Sequence, residues 1–190
     1  MHQIAALFAR SDSIYKTMPG VDVWDIDRDA LKWPGGCPVI AHPPCRAWGR
    51  LRAFANPRPG EKDLALWAVD QVRKWGGVLE HPHASSLWPA ANLPTPGRFD
   101  NFGGWTLGIH QNAFGHRAEK RTLLYIVGCA PRNLPPIPHG LNYPTHVIQT
   151  NRRAGGLPHV SRAEREATPP ALADWLCQVA RSCQVQPQQP

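Results

Sequence analysis

Several things are scarce in this chain, and each scarcity narrows what the protein is. No apolar run approaches the roughly 18 residues of a membrane span, so no spanning helix is expected. The amino end has no basic stretch leading into an apolar one, so no secretory leader is expected. The five cysteines, Cys37, Cys45, Cys129, Cys177 and Cys183, include no Cys-x-x-Cys pair. An odd, irregular set argues against a disulfide framework and for a reducing, cytoplasmic setting. Glycine is missing from the turn after the first apolar run, Ala9-Arg10-Ser11-Asp12-Ser13. That counts against a standard glycine-rich cofactor loop, although Ser11, Asp12 and Ser13 remain able to cap a short helix. Acids are few as well, with none between Cys45 and Gly60 or between Cys129 and Val160.

What is present is a 190-residue chain, 42% hydrophobic, enough for a single domain with a real core. The expected domain covers 1–183, with a low-complexity, disordered tail over 184–190. A net charge of +7 makes an anionic partner plausible. Nucleic acid is the common case and a generic soluble basic protein the plain one. Twenty-one prolines predict many fixed turns.

The stretch that organises the rest is Val39-Ile40-Ala41-His42-Pro43-Pro44-Cys45-Arg46-Ala47-Trp48-Gly49-Arg50. It reads as a short apolar strand, two prolines that end it and stiffen the turn, and a thiol. Open α/β sheets place their chemistry at strand carboxyl ends. Arg46, Arg50, Arg52 and Arg58 follow, which suggests a nucleophile facing an anionic substrate and a thiolate favoured by positive neighbours, His42 among them.

Along the chain, Ile4–Phe8 and Val21–Asp27 read as strands. The acidic end of the second, Asp25, Asp27 and Asp29, suits ribose hydroxyls or, equally, the capping of the next turn. Leu31 to Cys37 is too short for a helix and another strand, so the fold is abbreviated. Gly60–Trp75 reads as a helix with Leu64, Trp67, Ala68, Val72 and Trp75 on one face. Gly76-Gly77 stops it, and Val78-Leu79-Glu80 forms the next strand. A βαβ unit of this kind brings Cys45 and Glu80 to one edge of a parallel sheet. Pro89 to Asn101 reads as loop, Trp105–Ile109 and Arg121–Val127 as strands, and 129–160 as a Pro/Gly-rich irregular excursion. A final helix is expected with Thr168 as N-cap and Leu172, Trp175, Leu176 and Val179 facing the core. The fold class is therefore α/β, an abbreviated Rossmann-like, mostly parallel sheet flanked by helices.

A thiolate that adds to C6 of a pyrimidine activates C5, provided a group at N3 absorbs the charge. Cys45 and Glu80 are the right types on the right edge, and a base in a duplex would have to be flipped out beside a basic loop. Trp48 is a candidate stack for such a base; the other tryptophans fit a core better. The alternative for Cys45 is a small buried hydrophobe.

These residues resemble a family. His42-Pro43-Pro44-Cys45 resembles the Pro-Pro-Cys of DNA cytosine-5 methyltransferases, and Leu79-Glu80-His81-Pro82 their Glu-Asn-Val, or Glu-Asn-Pro in phage-borne relatives. Phe114-Gly115-His116 and Lys120-Arg121-Thr122-Leu123-Leu124-Tyr125 resemble a Phe-Gly-His…Lys-x-Thr-x-Leu run in those relatives, and Pro169 to Trp175 a closing helix. The resemblance implies a methyltransferase-like fold and a phage-encoded or bacterial protein. It implies Cys45 as nucleophile, Glu80 at N3, and Arg121, with Arg117 and Lys120, beside the base. Its cofactor would be S-adenosylmethionine, near Phe8, Ser11, Asp25 and Asp27. Its partner would be DNA or a cytosine nucleotide, met by Arg46, Trp48, Arg50, Arg52, His116, Lys120, Arg152 and Arg153. The family's glycine-rich Phe-x-Gly-x-Gly loop is matched only by Phe8-Ala9-Arg10-Ser11. Rival readings are a pyrimidine-modifying enzyme with another donor, a non-catalytic nucleic-acid-binding relative, and a zinc site from Cys37, His42 and Cys45 with His81 or His83. Zinc is disfavoured because that spacing matches no common motif.

Overall fold

The computed structural model describes residues 3–138, 143–148 and 156–183. Six strands form one mixed sheet, β1 (Ile4–Leu7), β2 (Val21–Trp24), β3 (Val39–Ala41), β4 (Gly77–Pro82), β5 (Trp105–His110) and β6 (Arg121–Val127). Their order is β2-β1-β3-β4-β6-β5. β1, β2, β3 and β4 are parallel, whereas β6 runs antiparallel to both β4 and β5. The helices are α1 (Glu61–Trp75), the single turn α2 (Leu87–Ala90), α3 (Arg162–Glu166) and α4 (Pro170–Ser182). The protein is thus α/β, a mixed sheet flanked by helices and compatible with a Rossmann-like fold.

β1 and β3 are apolar at every position and buried at every position, as central parallel strands covered on both faces must be. On one face, Ile4, Ala6, Ile40, Val78 and Leu124 pack against Leu172, Trp175, Leu176 and Val179 of α4. On the other, Ala5, Leu7, Val39, Ala41 and Leu79 pack against α1. The buried line of α1 is Ala65, Ala68, Val69 and Val72, rotated from the expected one, and Leu64, Trp67 and Trp75 sit at its margins. Small side chains let the helix lie close to the sheet, and the large rings close the edges of the contact. From β1 the chain moves outward to β2 and returns to the other side of β1 for β3. This is the switch point at which an open α/β sheet leaves a crevice at its carboxyl edge.

Other expected boundaries moved for identifiable reasons. β2 ends at Trp24 because the Asp25 carboxylate accepts hydrogen bonds from the Asp27 and Arg28 N–H groups at 3.1 and 3.2 Å, turning the chain. Ser13 caps a short 3-10 turn over Ile14–Thr17, its hydroxyl accepting from Tyr15 N–H. Pro169, not Thr168, is the N-cap of α4, and Pro170 takes the first helical position. Pro89 lies inside α2 rather than opening a loop. Of the 129–160 excursion, the described residues hold a 3-10 turn at Pro131–Asn133 and single bridges pairing Ala118 with His146 and Val147 with His159. The expected tail at 184–190 lies outside the described residues. Among the described residues no helix is long and apolar enough to cross a membrane.

β3 and β4 meet most closely at Gly77, whose φ is +120° and where an added Cβ would stand 2.0 Å from the Val39 carbonyl oxygen. Gly77→Ala combines backbone strain with a steric clash against main chain, and is expected to cost on the order of 3 kcal/mol in urea unfolding. Gly97→Ala, where nothing lies within 4 Å, should cost about 1 kcal/mol through φ alone.

Candidate active site

His42 stands one residue beyond β3, yet its N–H still donates to the Leu7 carbonyl at 3.0 Å. Pro43 and Pro44 have no N–H to offer, so the ladder stops there. The Cys45 carbonyl then accepts from the Trp48 and Gly49 N–H groups at 3.1 and 2.8 Å, closing a tight turn. Trp48 anchors that turn. Its ring is buried in the α1-side core, its indole N–H donates to the Lys62 carbonyl, and its own carbonyl accepts from Ser86. The turn is held at both ends while Cys45 itself remains exposed. Trp48 is therefore a wall of the core and not a surface on which a base could stack, a correction to the expectation above.

β3 and β4 are neighbours in parallel register, Ala41 opposite Leu79. Cys45 and Glu80 therefore share the carboxyl edge, as expected. Glu80 lies on the α4 face, as Val78 does two residues earlier. There it meets a set of polar groups. His42 Nδ1 lies 3.1 Å from Glu80 Oε2, and His42 Nε2 lies 3.0 Å from the Tyr15 hydroxyl. Gln111 Nε2 donates to Glu80 Oε1 and to Thr122 Oγ1, both at 3.0 Å. Thr122 arrives because β6 is reversed, which brings its amino end to this edge, opposite Pro82.

The electrostatics differ from expectation. Cys45 is exposed as a residue, but the chain around its sulfur desolvates it and raises the thiol above its ordinary value; Glu80 raises it further and Lys120 opposes both. The arginines do not reverse this. Arg46 forms a two-pronged pair with buried Glu61 at the start of α1, and His42 turns to Glu80. These surroundings favour the thiol over the thiolate. Burial likewise pushes the Glu80 carboxyl up, but the His42 hydrogen bond and the charges of Lys120 and the neighbouring histidines outweigh it and leave it at about 2. His81 faces the other way, fully buried, where burial lowers it to about 4 against the pull of Glu80 and the nearby Pro44 carbonyl. Neither of its ring nitrogens makes a well-formed hydrogen bond.

The remaining expected residues separate into groups. Lys120 exerts its charge on both Cys45 and Glu80. Arg121 is exposed at the same edge, but strand alternation puts it on the face opposite Thr122 and Glu80. Arg117 pairs with Glu164. His116 is buried with Nδ1 within reach of the Ala118 N–H and carbonyl, a turn-stabilising role. Arg50 and Arg52 are exposed on the loop after Cys45, with Phe54 beside them at 89% exposure. Arg152 and Arg153 lie outside the described residues. Tyr15, Gln111 and Thr122 were not foreseen as site residues, and no local sequence signal pointed to them.

The residues expected to hold S-adenosylmethionine do not form a cradle for it. Phe8 takes φ +59° and packs its ring edge-on against Trp67. Arg10, where a glycine would be needed, is held by Asp12 and Glu166. Asp25 is buried, caps its own turn, and pairs with Lys16 at 2.6 Å. Ser11 and Asp27 are exposed. Of the carboxylates expected near a ribose, Asp25 is thus committed within the fold. Against the zinc reading stands the engagement of His42 with Tyr15 and Glu80; among the described residues no three His, Cys, Asp or Glu side chains group as a metal site. No protein-family model matches the chain, and no curated protein is similar to it.

The two depressed groups set an acid response. Unfolded His81 takes a proton near 6.5 and folded His81 near 4. Stability is therefore full above pH 6.5 and falls through that window, by about 3 kcal/mol at its foot. Glu80 continues the loss from 4.5 towards 2. His81→Leu should remove its share of the upper part of the loss, leaving that of His116, which burial also lowers, and the lower part intact, as read by urea unfolding between pH 7 and pH 2.

Proposed function

We propose that the protein is a cytosine-modifying enzyme of the DNA cytosine-5 methyltransferase type, with Cys45 as nucleophile and Glu80 as the group that meets the base at N3. The observation that carries this reading is the pairing of an exposed thiol and a fixed carboxylate at the carboxyl ends of adjacent parallel strands. The sheet supports it as well. Four parallel strands and one reversed strand, β6, between β4 and β5 are compatible with the abbreviated Rossmann-like sheet that the resemblance implies. Partner chemistry is supported by the acid-free loop of Arg50, Arg52, Phe54 and Arg58 beside the thiol, which suits DNA phosphates and bases better than a free nucleotide.

The step these residues supply is addition to C6. The thiol loses its proton and sulfur bonds to C6. The C5–C6 π pair shifts to C4–C5, and the C4–N3 π pair takes one proton at N3. One proton leaves sulfur and one arrives at nitrogen, so the step needs no outside acid. The product is an enamine, nucleophilic at C5. A carboxylate matches the base best once N3 carries that proton, so Glu80 favours the adduct over the free base. The methyl donor stays unassigned, because Phe8 and Asp25, two of the four residues expected to hold S-adenosylmethionine, are engaged within the fold.

The direct test is trapping. The full chain, incubated with duplex DNA containing 5-azacytosine, whose nitrogen at position 5 takes a proton after addition at C6 and so needs no transferred group, should form an adduct stable to denaturation, abolished by Cys45→Ser and slowed by about 10²-fold in Glu80→Gln. Absence of any adduct with the unaltered chain would refute the reading. S-adenosylmethionine at millimolar concentration should leave the melting temperature unchanged; a rise of several degrees would restore it as a ligand.

A further inference from the structure

We propose that His42 is a positioning residue that, with Tyr15 and Gln111, makes Glu80 an acceptor-only group and thereby selects cytosine over uracil and thymine at this site. The inference rests on the Cys45–Glu80 reading and adds to it a residue and a rule of specificity.

The hydrogen bonds allow few alternatives. Tyr15 is 1% exposed, and its hydroxyl meets the Nε2 of His42 at 3.0 Å. Whether Tyr15 donates to Nε2 of a neutral ring or accepts from a protonated one, a hydrogen on Nδ1 faces Glu80 Oε2, because a bare nitrogen lone pair there would be repelled by the carboxylate. The other carboxylate oxygen takes a hydrogen from Gln111 Nε2, whose second hydrogen goes to Thr122. Gln111 Oε1 is left buried without a partner. Rotating the amide would set that oxygen against Glu80 Oε1, so the unsatisfied acceptor is the lesser cost only while Glu80 is charged. The backbone makes the arrangement stiff. His42 is tied to β1 through Leu7 and followed by two prolines.

A carboxylate with about four acceptor sites, two of them filled, has two left for the substrate. Both accept and neither donates. Cytosine offers an amino hydrogen at N4 and, in the adduct, a hydrogen at N3, so both sites are used. Uracil and thymine place O4 where the N4 amino group would be, and an oxygen facing a carboxylate is repelled. A protonated Glu80 would lose this rule, because its O–H could donate to O4. The charged and titratable groups around Glu80 are Tyr15 before β2, His42 and Cys45 after β3, His81 beside it on β4, and Lys120 before β6. Of these His42 alone donates a hydrogen bond to it.

The test uses the full chain and two oligonucleotides of one sequence, with cytosine or uracil at the same position, and reads exchange of the C5 hydrogen with heavy water, which reports reversible addition at C6 and needs no transferred group. The unaltered protein should exchange the first and not the second. His42→Leu should slow exchange at cytosine by about 10²-fold and raise the relative rate at uracil. His42→Gln, which can still donate, should keep most of the selectivity, and Tyr15→Phe should shift it in the same direction as His42→Leu by less. Carbon-13 NMR titration of the Glu80 carboxyl should move upward in His42→Leu. An unshifted Glu80 titration, or unchanged base preference in a folded His42 variant, overturns the proposal. If the unaltered chain exchanges at neither base, the reading of Cys45 fails instead, and the Glu80 titration still decides what His42 does.

Discussion

A carboxylate placed at the end of a buried strand must be met by donors, and most of the arrangement around Glu80 follows from that requirement. Burial alone would neutralise it. The fold instead supplies a hydrogen bond from the residue after β3, another from the turn after β5, and the nearby charge of Lys120 before β6. Three separate segments of chain converge because β6 is reversed, so that its start and the ends of β3 and β4 lie along one edge. The reversed strand is therefore part of how the acid is stabilised.

The opposite logic applies at Cys45. Its turn is tethered through Trp48, and the positive side chains that follow in sequence are spent elsewhere or point to solvent. The thiol and the carboxylate consequently rest in complementary states, one carrying a proton and the other lacking one. The proposed addition to C6 needs that proton only on the base. A site with both groups ionised would have to find it in solvent.

Much of the frame was legible in the sequence because it follows from short-range rules. Val39–Ala41, Arg121–Val127 and the helix ending at Trp75 came from apolar runs, glycine stops and proline. The shared edge of Cys45 and Glu80 came from the βαβ connection. The connections from Tyr15 to His42 and from Gln111 to Glu80 were not legible. They span 27 and 31 residues and depend on how a 3-10 turn and a hairpin fall across the sheet, for which no local pattern exists. Reading the arginines after Cys45 as neighbours of the thiol failed for a related reason. Proximity in sequence says little about direction once a turn intervenes, and Glu61, outside the acid-free loop, captured the first of them. Asp25 was read with two roles open, and its bonds to the next turn and to Lys16 favour the structural one.

The antiparallel pair of β5 and β6 aligns His110 with Arg121 and Ile109 with Thr122. A slip of one residue in this hairpin would exchange the faces of every side chain on β6. Thr122 would leave Gln111, and the amide would lose the contact that orients it toward the acid. The hairpin thus acts as a vernier scale: its hydrogen-bond ladder is the ruling against which a remote carboxylate is aligned. Length changes between Gln111 and Arg121 would register first as misalignment at the edge of the sheet, and only later as loss of the sheet itself.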